Sequence, residues 1–170
     1  MSHILSKTPQ QSEVIMTELV LPNDTNMLNN LLGGRLMHWI DIAAALASRR
    51  HAGRICVTAS VDEINFDRPL HLGDVIKLYA CVNRAFRTSM EVGVKTTRVE
   101  DDGEVVANTA YLTFVALDED RKPMPVPALI PQSEDEKRRF DEAGMRRETR
   151  LRHRENISTL REQLHSAQGA

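Results

Sequence analysis

Asp41 is the residue of this chain whose type and surroundings most suggest a chemical role. It is a lone carboxylate within an apolar stretch, with Ile40 before it and Ile42 after it. Burying an ionised carboxylate without a partner costs free energy on the scale of a domain's net stability. Asp41 must therefore reach solvent, bind a structural partner such as His38, or take part in a reaction. A desolvated carboxylate binds protons more tightly and makes a good general base.

A polar loop upstream of Asp41 supplies a second set of candidate groups. It contains Asn26 and leads to the pair Gly33-Gly34, directly ahead of the apolar stretch. Glycines at a helix start leave backbone N–H groups bare, and such groups stabilise a developing oxyanion or bind a carbonyl oxygen. Each feature alone is weak evidence, because asparagine is common in turns and adjacent glycines usually mark a turn or close packing.

These residues have to be positioned by a helix, which the spacing predicts over residues 34–50. Apolar residues recur there at intervals of three and four positions, and Gly53 provides a natural stop. The remaining sides of this helix are apolar too, with Met37, Ile42 and Leu46 among them. A helix that is apolar nearly all round is expected to be buried.

Five strands are predicted around this helix from alternating or β-branched segments bounded by turn residues. They cover residues 14–21, 55–66, 74–83, 89–99 and 104–117, with a hairpin turn at Asp101-Asp102-Gly103. A long apolar helix followed by antiparallel strands favours an α+β fold in which a curved sheet wraps around the helix. One sheet covers most of that helix, and a second subunit is expected to cover the rest.

The last part of the chain differs in composition from what precedes it. A proline-rich connector at residues 123–131 leads to Ser133-Glu134-Asp135-Glu136, a capping box that predicts the start of a helix. From residue 134 to 162 the tail has nine Lys or Arg and eight acidic residues. The interleaved acids argue against a nucleic-acid partner. One interpretation of the tail is a solvated helix that docks on an oligomer.

Composition narrows the class of protein. The 170 residues suit one domain, and a net charge of −2 gives no basic field for nucleic acid or a membrane surface. The first 13 residues lack the apolar core of a signal peptide, and no apolar run is long enough to cross a bilayer. Cys56 and Cys81 lack metal-ligand spacing and are interpreted as free thiols of a reducing compartment, the cytoplasm. The sequence has no zinc-type histidine pair, nucleophile elbow or phosphate loop.

Taken in order, the candidate residues resemble the signature of the hotdog-fold acyl-CoA thioesterases, which include bacterial acyl-CoA hydrolases and the cytosolic long-chain acyl-CoA hydrolase of animals. The pattern begins with Pro22, Asp24, Thr25, Asn26, Gly33, Gly34, Leu36, Met37, Trp39 and Asp41. It continues through residues 57–62, Asn65, Phe66, Pro69, Gly73 and Asp74, and then through 87–90 and 113–117. The likeness covers residues 14–127. It departs from relatives at Asn29, often glycine, and at Leu32, histidine in the animal enzymes.

The resemblance implies a hotdog fold at residues 1–128, in which an antiparallel sheet of five to six strands wraps around the long apolar helix. Residues 129–170 would form the connector and an extra charged C-terminal helix. It also implies hydrolysis of acyl-CoA, a reaction of lipid metabolism, without a cofactor or metal. The protein would be a homo-oligomer with the dimer as its minimal unit, assembled into a hexamer as a trimer of dimers.

The resemblance also implies roles for individual residues. Asp41 would activate water, or attack the thioester directly, and Asn26 would orient the thioester or water from the opposite side of a dimer interface. The N–H groups near Gly33 and Gly34 would hold the thioester carbonyl. The CoA phosphates would lie toward Arg84, Arg87, Thr88 and Ser89, for which a solvated hairpin turn is the alternative.

Other functions stay open from sequence alone. A hotdog hydratase or dehydratase would need a catalytic histidine near the acid, for which His38 and His51 are the candidates. A non-catalytic acyl-CoA-binding regulator would need a DNA-reading domain, which the sequence does not show. The arginines of the charged tail are expected either to be solvated or, in a sharper interpretation, to neutralise CoA phosphates or clamp a neighbouring subunit.

Overall fold

The computed structural model describes residues 6–62, 64, 66 and 68–168, with side chains described as far as Glu162. Its sheet and helices follow the predicted order, with bounds that agree or differ by up to five residues. The elements are β1 (Val14–Leu19), α1 (Gly33–Ala52), β2 (Cys56–Val61), β3 (Val75–Ala85), β4 (Ser89–Glu100), β5 (Gly103–Ala116) and α2 (Glu134–Gln168). In these ranges, neither helix combines the length and apolar character needed to cross a membrane.

The five strands form one antiparallel sheet in the order β1-β3-β4-β5-β2. Alternate residues of β3, β4 and β5 face α1 and are almost fully buried, among them Leu78, Val92 and Phe114. The facing side of α1 carries the alanines Ala43, Ala44 and Ala47, whose small side chains let the helix lie close to the sheet. This is the predicted sheet wrapped around a long helix, and it leaves β1 and β2 as the two edge strands.

In the single chain α1 is buried on one side only. The sheet covers one side of the helix, whereas Met37 and Leu46 on the other side keep 42% and 48% of their surface exposed. Val57 and Val61 of the edge strand β2 are exposed as well. A single sheet has one inner face, so it cannot surround a helix that is apolar on every side. This exposed apolar surface is the one that a second subunit is predicted to cover.

The predicted strand at 55–66 is longer than the strand observed. β2 ends at Val61, and Asp62 makes one further bond to β5: its backbone N–H donates to the Tyr111 carbonyl, while its carboxylate pairs with Arg150 at 2.9 Å. The predicted strand end and turn also included Glu63, Asn65 and Asp67, which lie outside the described residues. The hairpin turn at Asp101-Asp102-Gly103 is confirmed, because Glu100 pairs with Gly103 across it.

α2 starts at the predicted capping box. The Ser133 hydroxyl oxygen accepts a hydrogen bond from the Glu136 N–H at 3.2 Å, and the Glu136 carboxylate accepts one from the Ser133 N–H at 2.9 Å. These two bonds satisfy backbone groups that a helix start otherwise leaves unpaired. The boundary between residues 128 and 129 remains a prediction.

The first half of α2 crosses the outer face of the sheet. Going along the helix, Arg139 contacts Cys81 of β3, Arg146 pairs with Glu91 of β4, and Arg150 pairs with Asp62 just beyond β2. The predicted tail helix is therefore present, but it docks on its own sheet largely through arginines rather than through an apolar stripe.

Candidate active site

Asp41 lies on α1 where the helix passes the edge strand β2. Its side chain is half-buried, and its Oδ1 accepts a hydrogen bond of 2.7 Å from the hydroxyl of Thr58. In the described part of the chain it has no ion pair, and His38 is not its partner. The carboxylate faces a cleft of about 300 Å³ lined by Ile42, Ala45, Leu46, Arg49, Ile55 and Cys56. Asp41 is thus held by a neutral hydroxyl beside an open apolar cleft.

Thr58 is the functional candidate that the sequence analysis missed. A β-bulge in β2 places Thr58 opposite Phe114 and Ser60 opposite Thr113, so Ala59 is the extra residue. Phe114 faces α1, and Thr58 therefore points toward the helix while Ser60 points to the outer face. The available signal was a hydroxyl residue on a strand next to the helix with the lone acid. The sequence does not show the bulge, and the bulge decides whether Thr58 or Ser60 faces α1.

Asn26 lies in the loop between β1 and α1. Its side-chain oxygen accepts hydrogen bonds from the N–H groups of Leu28 (2.9 Å) and Asn30 (3.2 Å). Asn29, between them, has a φ of 56°, in the left-handed region that asparagine tolerates better than most residues. Because the oxygen is occupied within the loop, the NH₂ group of the exposed Asn26 is the part available to a ligand.

The glycine pair forms the start of α1. The Leu32 carbonyl accepts hydrogen bonds from Arg35 and Leu36, so the N–H groups of Gly33 and Gly34 precede the first helical bonds. The buried carboxylate of Asp24 fixes this start, because it pairs with Arg35 at 2.7 Å. Gly33 and Asn26 line the same cleft, of about 350 Å³, together with Leu31, Leu36, Phe66 and Arg68.

One chain does not bring all the predicted catalytic groups into one cleft. Asn26 and Gly33 line the cleft at the start of α1, whereas Asp41 lines a different cleft farther along the same helix. Eight residues of helix separate Gly33 from Asp41, a rise of about 12 Å. The structure therefore gives two half-sites, one with an amide and backbone donors and one with the carboxylate and Thr58.

The four residues predicted for CoA lie at or beside the hairpin between β3 and β4. The guanidinium of Arg84 donates to the Phe140 carbonyl at 3.2 Å and lies 4.3 Å from the centre of the Phe140 ring. Ser89 is buried, and its hydroxyl accepts a hydrogen bond of 3.3 Å from Arg147. Arg87 is exposed and Thr88 is half-buried. Two of the four are thus engaged with α2, and their role in CoA binding remains a prediction.

Cys56 lines the Asp41 cleft, and its thiolate form would compete with Asp41 as a reactive group. Burial raises the pKa of its thiol, and a hydrogen bond with Ser48 only partly opposes this. The thiolate is the nucleophilic form, so a raised pKa leaves Cys56 protonated and unreactive near neutral pH. The carboxylate of Asp41 is accordingly the group in this cleft best suited to act as a base.

Comparisons with known sequences identify the class of protein to which this fold and these half-sites belong. Residues 28–105 match the family model "Thioesterase superfamily". The chain is 39% identical over 155 residues to the uncharacterised acyl-CoA thioester hydrolase YkhA of Bacillus subtilis, covering 88% of this chain and 90% of YkhA. It is 41% identical over 151 residues to acyl-coenzyme A thioesterase 11 of Mus musculus, covering 88% of this chain but 25% of the mouse protein. The chain thus spans about a quarter of that longer relative.

Solved structures agree with this assignment. The acyl-CoA hydrolase of Staphylococcus aureus, in complex with butyryl coenzyme A, coenzyme A and coenzyme A disulfide, superposes with a TM-score of 0.87 at 37% identity. That match covers 94% of this chain and 98% of the other. A hexameric acyl-CoA thioesterase without ligand has a TM-score of 0.84 at 40% identity, with 88% and 97% covered. The predicted hotdog fold is confirmed, and the chain belongs to the acyl-CoA thioester hydrolase family of the thioesterase superfamily.

The S. aureus hydrolase has also been solved as three alanine variants, at an aspartate, an asparagine and a threonine. Each is 36% identical to this chain, with TM-scores of 0.88, 0.89 and 0.87 respectively. In that protein 15 positions separate the asparagine from the aspartate and 17 separate the aspartate from the threonine, which is also the spacing of Asn26, Asp41 and Thr58.

Proposed function

We propose that this protein hydrolyses acyl-CoA thioesters to a free fatty acid and CoA, with Asp41 as the base that activates water. The observation that carries the proposal is the 2.7 Å hydrogen bond from Thr58 to Asp41 at the edge of an apolar cleft. Family membership and the shared spacing of asparagine, aspartate and threonine in the S. aureus hydrolase support it.

The chemistry follows from which oxygen of Asp41 is occupied. The Thr58 hydroxyl donates a hydrogen bond to Oδ1 and fixes the orientation of the carboxylate, which leaves Oδ2 to take a proton from a water molecule. The oxygen of that water attacks the thioester carbonyl carbon, and the negative charge on the carbonyl oxygen is stabilised by N–H donors. The C–S bond then breaks, and CoA leaves as a thiolate that receives the proton held by Asp41.

We further propose that the second half-site comes from another copy of the chain. Asn26 and the N–H groups of Gly33 and Gly34 would face Asp41 across a subunit interface, and the exposed side of α1 around Met37 and Leu46 would be covered there. The two separate clefts in one chain support this arrangement, as does the hexameric relative. The proposed assembly is a homo-oligomer with the dimer as its minimal unit and a trimer of dimers as its hexamer.

The remaining expectations from sequence belong to this proposal. CoA is part of substrate and product, so the reaction needs no further cofactor or metal, and neither nucleic acid nor a membrane is a partner. The cytoplasm is the proposed compartment, supported by the free thiols of Cys56 and Cys81. A hydratase or dehydratase is not favoured: His38 is exposed, and His51 is buried and bonded to the Pro127 carbonyl at 2.8 Å.

Free-thiol release from acyl-CoAs of increasing chain length tests the proposed activity. Wild-type protein that is inert on every chain length would remove it. Within this assay Thr58→Val, which keeps the side-chain shape and removes the hydroxyl, is expected to lower kcat by about tenfold, the equivalent of one hydrogen bond to a charged group. Thr58→Ser retains the donor and is expected to keep most of the activity. Equal loss in both variants would show that Thr58 acts through packing rather than through its hydrogen bond.

A further inference from the structure

We propose that the arm formed by residues 151–168 of α2 docks on the sheet of a second copy of the chain and stabilises the pair of subunits. This inference rests on the dimer of the proposed function, because it adds a contact between the same two subunits. The arm is the part of the charged tail that extends beyond its own sheet.

The first half of α2 sets the direction of the arm. Arg139 contacts β3, Arg146 pairs with β4, and Arg150 pairs with Asp62 just beyond β2. The strands lie in the order β1-β3-β4-β5-β2, so these contacts cross three strand spacings, about 14 Å. From Arg139 to Arg150 the helix rises about 17 Å. α2 therefore runs across the strands and leaves the sheet at its β2 edge.

The arm is long enough to cross a second sheet. α2 continues for 18 residues after Arg150 and ends at Gln168, a rise of about 27 Å. A sheet of five strands is about 19 Å wide between its two outer strands. Among the arm side chains that the structure describes, residues 151–162, Ile157 is half-buried and the others are exposed. The arm is thus largely uncovered by its own subunit.

The face of α2 that docks on its own sheet continues along the arm. Arg139 and Arg146, seven residues apart, make the contacts of the docked half. Arg154 and Arg161 repeat this spacing on the arm, with Ile157 between them. A shift of 15 residues is about 4.2 helical turns, so both pairs lie on nearly the same side of α2. The side that contacts the sheet in the first half therefore points in the same direction in the arm.

A groove of about 420 Å³ lies between this face and the edge strand β2. It is lined by Ser60 of β2, by Arg150, and by arm residues that include Ile157 and Arg161. β2 is the last strand of the described sheet on this side. Proteins usually cover a free strand edge, because its unpaired backbone groups otherwise pair with other chains. The overhanging arm and the free edge of β2 thus form one docking surface.

A second copy of the chain is the occupant that fits this surface. The proposed dimer interface covers the exposed side of α1 around Met37 and Leu46 and continues to the exposed Val57 and Val61 of β2. The second subunit therefore lies on the side to which the arm points. In a two-fold dimer each arm lies on the other subunit, so the contact is made twice. A helix that is polar nearly all round is stable when it bridges two folded units.

The composition of the arm also suits a protein surface. Arginine is enriched in interfaces between proteins, whereas lysine is depleted. Residues 151–168 contain three arginines and no lysine, and Leu160 keeps 57% of its surface exposed. The docked half of α2 already binds its own sheet by pairing arginines with carboxylates, and the arm carries the same chemistry to a neighbouring sheet.

Photochemical crosslinking of the full-length protein tests the inference. Ile157→p-benzoylphenylalanine places a photoreactive group on the docking face, and the same change at Thr159 places it on nearly the opposite face as a matched control. Assemblies that contain both nitrogen-15-labelled and unlabelled subunits are irradiated, and the joined peptides are identified by mass. Crosslinks of mixed isotope content to the sheet of the other subunit are expected from position 157, at about tenfold higher yield than from position 159.

A second pair of variants measures the contribution of the arm to assembly. Ile157→Arg is expected to raise the dissociation constant of the dimer about tenfold or more, the loss expected for one buried apolar side chain. Thr159→Arg adds the same charge to the opposite face and should stay within about twofold of wild type. Sedimentation over a dilution series gives both constants.

Crosslinks confined to one chain, or equal yields from the two positions, would overturn the inference, as would equal dissociation constants for the two arginine variants. Neither experiment uses a substrate, so each is independent of catalysis. A protein that crosslinks between subunits through position 157 but releases no thiol from acyl-CoA would contradict the proposed activity and leave the arm contact intact. An active protein without that crosslink would overturn the arm contact alone.

Discussion

Replacing Asp41 by alanine or asparagine is expected to lower kcat for acyl-CoA hydrolysis by about 10²- to 10⁴-fold, the usual contribution of a general base. Asparagine tests the base most cleanly, because its side-chain oxygen still accepts the hydrogen bond that Thr58 donates to Asp41. The fold should survive, since Asp41 is half-buried and makes no ion pair in the described part of the chain. Thiol release gives the rate, and circular dichroism with light scattering checks fold and assembly.

A matched control for Asp41 is Asp102→Asn in the hairpin between β4 and β5, which removes one carboxylate from an exposed turn. Its activity should equal that of wild type. An Asp41→Asn protein as fast as wild type would exclude Asp41 as the base. An unfolded Asp41→Asn protein, with Asp102→Asn folded, would assign Asp41 a structural role.

Removing Arg146 is expected to cause a large loss of stability. The Glu91 carboxylate is fully buried, and Arg146 donates to both of its oxygens, at 2.7 and 3.1 Å. The guanidinium also lies 3.6 Å from the centre of the Tyr111 ring. Arg146→Met leaves the buried charge of Glu91 with a hydrogen bond from Asn83 and without its cation. Breaking a buried pair in this way costs about 3–5 kcal/mol in the free energy of unfolding.

Urea unfolding at fixed protomer concentration measures the effect of Arg146→Met. The double variant Glu91→Gln/Arg146→Met should regain much of the loss, because it removes the unpaired charge and keeps a partner for Asn83. Arg152→Ala, an exposed change on the same helix, should stay within about 0.5 kcal/mol of wild type. A cost below about 1 kcal/mol for Arg146→Met would mean that α2 does not dock on the sheet in solution.

The order of helices and strands could be predicted because each element carries its own periodic signal. The alternation of Val92 and Val94 defines β4, and the spacing of Ile40, Ala43 and Ala47 defines the buried side of α1. The partial burial of α1 in the single chain has a physical cause. A sequence shows that Met37 and Leu46 are apolar, but it does not show that one sheet covers one side only.

The docking of α2 could not be predicted from an apolar pattern, because arginines make its main contacts. Arg139, Arg146 and Arg150 look like solvated charges in the sequence, yet each pairs with a group on or beside the sheet. Their partners are distant in the chain, so local periodicity gives no signal.

The candidate site was predictable in part. Asp41 is visible as an acid in an apolar helix, and Asn26, Gly33 and Gly34 follow from the family pattern. Thr58 was missed because its direction depends on the bulge at Ala59, a detail of strand pairing with β5. The division into two half-sites also needs three dimensions, since it rests on which residues share a cleft.

The central claim is that Asp41 of one copy works with Asn26 of another, and mixing two inactive variants tests it most directly. Asn26→Ala and Asp41→Ala subunits are co-expressed with different tags, and the mixed assemblies are purified and assayed for thiol release. If each site takes one residue from each copy, random mixing should restore about a quarter of the wild-type activity, because half of the dimers carry one intact site of two. Mixed assemblies that stay as inactive as either parent would contradict the account.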